Sequence, residues 1–257
     1  MTRVFPFGLG QPIGARANLG LIVLQSDETI EHDFRRLLPA TGVALYVSRI
    51  PSAPEVTRET LAKMEAEMPR AAGLLPRPVR FDAVGYGCTS GTSVIGASRI
   101  ADLVNQGCTT QAVTEPVSAL LAVCAHLGVS RLALLSPYVA QVSDGLRAVL
   151  ARGGVDTPVF GTFDEAEETR VARIDRESLI AAACALGSDP GCEALFLSCT
   201  NLRTLEAIES IEAAIGKPVL SSNQVLAWHM LALAGQDDPQ TGFGRLLAAP
   251  GKKKAEH

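Results

Sequence analysis

The sequence has no surplus of positive charge: 23 Lys and Arg stand against 27 Asp and Glu, a net charge of −4. Nucleic-acid binders carry clustered Lys and Arg. The one such cluster, Lys252-Lys253-Lys254, reads as a solvated tail. No apolar run approaches the roughly 20 residues of a membrane span. The opening MTRVFPFGLGQPIGAR holds too short an apolar stretch for a secretory signal. These absences predict a cytoplasmic protein with neither nucleic-acid nor membrane partners. None of the six cysteines forms a C-x-x-C pair, and His32, His126, His229 and His257 lack zinc-ligand spacing. Reduced thiols and no metal site are expected.

What is present is an α/β pattern. Apolar residues make up 47% and charged residues 19% of the 257, a globular composition with length for one large domain or two lobes. LGLIVL (Leu19–Leu24), VALYVSRI (Val43–Ile50) and FDAVGYG (Phe81–Gly87) read as strands, and QAVTEP as a fourth. Helices are expected over Asp27–Leu38, Glu55–Leu75, Ser93–Asn105 and Pro116–Leu127. The scheme then repeats. RLALLS, TPVFGTF, EALFLS and KPVLSS are strands, with helices over Val139–Leu150, Arg176–Leu186, Thr204–Ile215 and through Trp228 to Leu233. Near-continuous apolar strands alternating with helices predict parallel sheets covered on both faces.

The repeat has a fixed offset. Cys88 and Cys199 differ by 199 − 88 = 111, and Leu24/Leu135, Asp33/Asp144 and Arg36/Arg147 share that spacing. A strand, a helix and a cysteine coming into register under one shift imply duplication. The expected fold is two pseudo-twofold-related, doubly wound parallel-sheet lobes. They span 1–128, with the C-terminal segment packing back on it, and 129–257. No Pro/Gly-rich linker parts them, so they should pack tightly. Ligands bind beyond the carboxyl ends of parallel strands, which puts the active site between the lobes. There GCTS and SCTN, each ending a strand on Cys-Thr, would face one cleft.

A strand-end cysteine before a helix lies near unpaired N–H groups and the positive end of the helix dipole. That setting is expected to lower the thiol pKa toward neutrality. The amides and hydroxyls of Thr89 and Ser90, and of Thr200 and Asn201, suit a carboxylate. Two such thiols flanking one carbon can remove a proton from one face and deliver one to the other. Alternatively, one thiolate can add to a double bond, allow rotation and leave. Neither route needs a cofactor. Cys108, Cys124, Cys184 and Cys192 lack the repeated context and read as small hydrophobes.

The segments GLIVLQSDETIEHDF, GYGCTSGTS, LLSPY and LSCTNLRT, in that order, resemble the cysteine-dependent aspartate/glutamate racemase superfamily over nearly the whole chain. The branch they resemble holds maleate cis–trans isomerase, arylmalonate decarboxylase and ectoine-utilisation proteins. The resemblance implies catalytic Cys88 and Cys199, a small carboxylate substrate, Tyr138 as a substrate contact, no cofactor, and a homodimer or homotetramer. Both thiols are present, which argues against the decarboxylase branch, where only the second is kept.

Two positions depart from the isomerase pattern. Gln25-Ser26-Asp27 stands where maleate isomerases have Ser-Ser-Asn, and Glu168 aligns with a later asparagine. Acids at Asp27 and Glu168 would repel a dianion and suit a substrate carrying an amino or amidine cation, as in ectoine-type catabolism. Asp27 could equally cap the first helix, and DEAEETR (Asp164–Arg170) reads most simply as a solvated charged segment. His229 reads as a packed histidine and Glu115 as a helix-start acid. The expected function is a cofactor-independent isomerase or racemase. The alternatives are maleate isomerisation and a non-catalytic small-ligand binding module.

Overall fold

The computed structural model describes residues 2–248. The Lys252–Lys254 cluster lies outside them. The first half runs β1 (Ala17–Leu24), α1 (Ile30–Leu37), β2 (Val43–Ile50), α2 (Arg58–Ala72), β3 (Ala83–Gly87), α3 (Thr89–Ile95), α4 (Ala97–Gly107), β4 (Val113–Thr114) and α5 (Pro116–Leu127). The second runs β5 (Arg131–Tyr138), α6 (Ala140–Arg152), β6 (Asp156–Glu165), α7 (Glu168–Val171), α8 (Arg176–Gly187) and β7 (Ala194–Leu197). It closes with α9 (Leu205–Ile215), β8 (Val219–Ser221), α10 (Ser222–Leu233) and α11 (Arg245–Ala248).

The strands form two four-stranded parallel sheets with matching orders, β2-β1-β3-β4 and β6-β5-β7-β8. The central strands of both are sealed: Leu19, Leu21, Ile22 and Val23 in β1, and Leu132–Leu135 in β5, are within 1% of fully buried. Burial on both faces explains why these strands read as unbroken apolar runs rather than alternating ones. Val23 pairs with Gly87 and Leu135 with Leu197, so the cysteines emerge at equivalent sheet edges.

Two expected helices differ from expectation for local reasons. The helix expected over Ser93–Asn105 divides into α3 and α4 at Gly96, whose φ of +91° lies in the left-handed region open to glycine. The helix expected from Glu55 starts instead at Arg58, where Thr57 and Thr60 form a capping box. The released residues 51–57 cross toward the other sheet. Val56 N–H donates to the Ala166 carbonyl (3.1 Å), Glu168 N–H to the Pro54 carbonyl (3.1 Å), and Glu55 bridges Glu167 in antiparallel fashion.

Helix α10 belongs to the second half by sequence but lies against β3. A Cβ on Gly85 would sit 2.5 Å from Met230 Sδ, so glycine there lets the Met230 side chain pack directly on the strand. One apolar cluster accordingly runs through both sheets, from Leu19 and Tyr86 to Leu197, Ala227 and Met230.

Candidate active site

Cys88 follows β3 and caps α3: its Sγ accepts the Gly91 N–H at 3.1 Å. Cys199 departs from the expected symmetry. It follows β7, but no helix starts until Leu205, and its φ is +111°, costly for any residue with a Cβ. Its Sγ accepts the Asn201 N–H at 3.3 Å, and its own N–H donates to Ser222 Oγ at 3.0 Å. Ser222 Oγ also shares a 2.8 Å hydrogen bond with Thr89 Oγ1. A single hydroxyl from α10 thus ties both cysteine corners together.

The two thiols line one cavity, with Thr89, Ser90 and Thr200 along its base. Asp27 from the end of β1, Tyr138 from the end of β5 and Glu168 from α7 complete its polar wall. Asn201 stands directly behind Glu168. Val56, on the crossing segment that pairs with Ala166–Glu168, and Leu61, on α2, roof the cavity. The enclosed volume is only ≈ 10 Å³, room for about one water.

The electrostatics run opposite to the expectation of low-pKa thiols. Burial pushes the Cys88 thiol up to about 12 against the opposing pull of the Gly91 N–H, and Glu168 and Asp27 add to the rise. Cys199 is also raised well above the ordinary thiol value, first by burial and then by Glu168. One amide per sulfur does not offset removal from water with two acids nearby. Burial likewise raises Asp27 and Glu168. No Lys, Arg or His lines the cavity among the described residues.

The two carboxylates are held differently. Asp27 Oδ1 accepts the N–H groups of Thr29 and Ile30, each at 2.8 Å, so it does cap the start of α1. Its Oδ2 is buried and accepts no hydrogen bond; the Thr200 hydroxyl lies close enough to stabilise the Asp27 charge but donates to the Gly87 carbonyl at 3.3 Å. Glu168 has both oxygens engaged: Oε1 accepts the Tyr138 hydroxyl and Oε2 the Asn201 amide, each at 2.7 Å. Tyr138 Oη is also 2.9 Å from Cys199 Sγ. Since its proton points to Glu168, the phenol oxygen accepts the Cys199 S–H.

The other candidates lie elsewhere. His229 is half-buried with Nδ1 2.8 Å from Thr114 Oγ1, and Glu115 caps α5 through the Val117 and Ser118 amides. Cys124 sits in the apolar layer under the second sheet. The segment over Asp164–Arg170 is not wholly solvated, because Glu168 turns inward and is 4% exposed. Ser222, Val56 and Leu61 are site residues that the sequence reading missed. Ser222 had a usable signal, a hydroxyl cluster at the carboxyl end of a parallel strand. The roof residues had none: Val56 lies in a segment, 51–57, that resembles any polar connection, and Leu61 is one apolar position among several on α2.

Two parallel sheets of matching order, with strand-end cysteines meeting between them, define the two-lobed Asp/Glu racemase-like class of α/β proteins. A family model described as arylmalonate decarboxylase matches residues 98–247, and the chain belongs to that family. It is 32% identical to arylmalonate decarboxylase of Bordetella bronchiseptica over 123 residues, 47% of this chain and 51% of that one. It is 27% identical to maleate isomerase of Nocardia farcinica over 240 residues, 89% of this chain and 94% of that one. A solved structure of the Nocardia farcinica maleate cis–trans isomerase is a cysteine-to-serine mutant with a covalently bound succinylcysteine intermediate. It superposes with a TM-score of 0.82 at 25% identity, covering 90% of this chain and 98% of that one. The fold of Pseudomonas putida S16 maleate isomerase, solved with maleate, matches with a TM-score of 0.81 at 24% identity, covering 90% and 97%.

Proposed function

We propose that the protein is a cofactor-independent isomerase or racemase acting on a small carboxylate that also carries a cation. In this reading Cys88 and Cys199 address opposite faces of one carbon, between lobes spanning 1–128 and 129–257. The amides and hydroxyls at Thr89, Ser90 and Thr200 receive the carboxylate, and Tyr138 and Asn201 complete the wall. The observation that carries the cation is Asp27 Oδ2, buried without a partner in a cavity that no basic residue lines. Leaving such a group unmatched costs roughly 1–3 kcal/mol, which an ammonium or amidinium would recover.

The cation also bears on the chemistry. Four acidic groups share the cavity, and the thiols are neutral when it is empty. Positive charge brought in with the substrate offsets Asp27 and eases ionisation of a thiol at the moment it is needed. The thiolate then takes the proton beside the carboxylate while the opposite S–H delivers one. A role in ectoine-type compatible-solute catabolism, the branch that the Gln25-Ser26-Asp27 segment resembles, fits a substrate of this kind. Maleate isomerisation is the second reading, favoured by the likeness to maleate isomerases over most of the chain.

The test is proton exchange in D2O followed by NMR, with cationic amino acids and maleate offered separately. Deuterium should enter a cationic amino acid at the carbon beside its carboxylate, maleate should remain unchanged, and Asp27→Asn should raise KM for the cationic substrate at least tenfold. Conversion of maleate to fumarate by the wild-type protein would overturn the cation-based reading.

A further inference from the structure

We infer that Glu168 is a positioning residue that holds the exchangeable proton of Cys199, acting through the Tyr138 hydroxyl. This rests on the two-thiol reading above but assigns unlike roles to the two sulfurs. Cys199 S–H, Tyr138 O–H and the Glu168 carboxylate form one line, with separations of 2.9 and 2.7 Å. Asn201 holds the far end by donating to Glu168 Oε2 at 2.7 Å and, through the same nitrogen, to the Glu168 carbonyl at 3.1 Å. All four side chains are buried.

Cys88 has no matching line. Its sulfur accepts the Gly91 amide and has the Tyr86 hydroxyl beside it, but that hydroxyl leads on only to Met64 Sδ at 3.5 Å, with no carboxylate beyond. The two carboxylates therefore divide the work. Asp27 keeps a free oxygen for the substrate, whereas both oxygens of Glu168 are committed to the protein.

The transfer balances without an outside reagent. The S–H bond of Cys199 breaks and its proton passes to the phenol oxygen. The original phenol proton passes to Glu168 Oε1, and the negative charge moves from carboxylate to sulfur. After Cys199 takes a substrate proton and Cys88 delivers one, Glu168 stays protonated and Cys88 is left as the thiolate. A turnover in the opposite direction passes the Cys199 proton to a substrate carbon, and the reverse shift along the line then restores the resting state. The titratable groups facing this line are Asp27 and Cys88 across the cavity. Glu55 and Glu167 stand on the roof, and the Arg49 guanidinium behind Asp27 donates to its carbonyl at 3.0 Å.

A substrate-free test separates this inference from the proposed function. In a Cys88→Ser background, alkylation of Cys199 by iodoacetamide is followed by mass spectrometry of its peptide across pH. A thiol and a carboxylate sharing one proton give a pH-independent stretch below the thiol's own ionisation, because the thiolate/carboxylic-acid form stays a constant fraction. That stretch should vanish in Glu168→Gln and in Tyr138→Phe, leaving a rate that climbs about tenfold per pH unit. In the active enzyme Glu168→Gln should lower kcat about 100-fold with a much smaller change in KM. Identical alkylation profiles for all three proteins would overturn the inference whatever the substrate. So would faster alkylation of Glu168→Gln throughout, the signature of a purely repulsive charge.

Discussion

Replacing Asp33 by Asn should change how stability depends on pH. Asp33 lies on α1, 2% exposed, and its Oδ2 accepts the Asn223 amide at 2.8 Å, while that same amide reaches the Thr200 carbonyl. Burial raises its pKa from 3.8 to about 7 against the stabilising Asn223 bond, and the charges of Glu206 and Asp27 add to the rise. A folded-state value above the unfolded one means the native state binds the proton more tightly. That contribution is complete below about pH 4 and is lost as pH rises through 7. At about 1.4 kcal/mol per pH unit, the full span is worth about 4 kcal/mol, and roughly 2–3 kcal/mol of it disappears between pH 5 and pH 8. An Asn side chain keeps an oxygen for Asn223 and cannot ionise. Urea unfolding of both proteins at pH 5, 6, 7 and 8 brings out the effect, since acids not coupled to Asp33 cancel in the difference. The stability difference should move in favour of Asp33→Asn by roughly 2–3 kcal/mol over that range. A difference that stays flat with pH would show that Asp33 is already ionised in the fold.

Cys88→Ser and Cys199→Ser should each abolish turnover while leaving urea midpoints nearly unchanged, because serine is close in size and its oxygen can accept the same Gly91 and Asn201 amides; retained turnover in either would remove the paired-thiol reading. Gly91→Ala should be severe, since the new methyl would lie 2.6 Å from the Tyr86 hydroxyl and 2.9 Å from Cys88 Sγ. A stability loss of about 1–3 kcal/mol and displacement of the sulfur should appear as lost activity, and a fully active Gly91→Ala would mean the corner yields freely. In Cys199→Ser, alkylation of Cys88 should be slow at pH 7 and rise steadily toward pH 10, as its value of about 12 requires; a plateau near neutrality would contradict the burial argument.

The sheets were legible because burial on both faces leaves continuous apolar runs such as Leu19–Leu24, and duplication was legible because it preserves spacing. Arithmetic brought Cys88 and Cys199 together, and the resemblance added Tyr138, Asp27 and Glu168. Their protonation was not legible. The pattern Cys-Thr looks alike in both lobes, yet Cys88 starts a helix and Cys199 sits at positive φ with α9 beginning five residues after Thr200. Nor does a sequence report how much water reaches a sulfur, and that quantity reverses the expected direction of both thiol pKa values. The distinction between Asp27 and Glu168 also depends on which oxygens find partners, and on a serine more than twenty residues beyond Cys199 that joins the two corners.

The pairing of Val56 with Ala166 and of Glu168 with Pro54 has a further result. With room for about one water in the cavity, a substrate needs space that must come from its walls, and the crossing of residues 51–57 forms one of them. Any change in those two main-chain bonds reaches Val56 and Glu168 at once, so the contact between the halves and the shape of the site are set together.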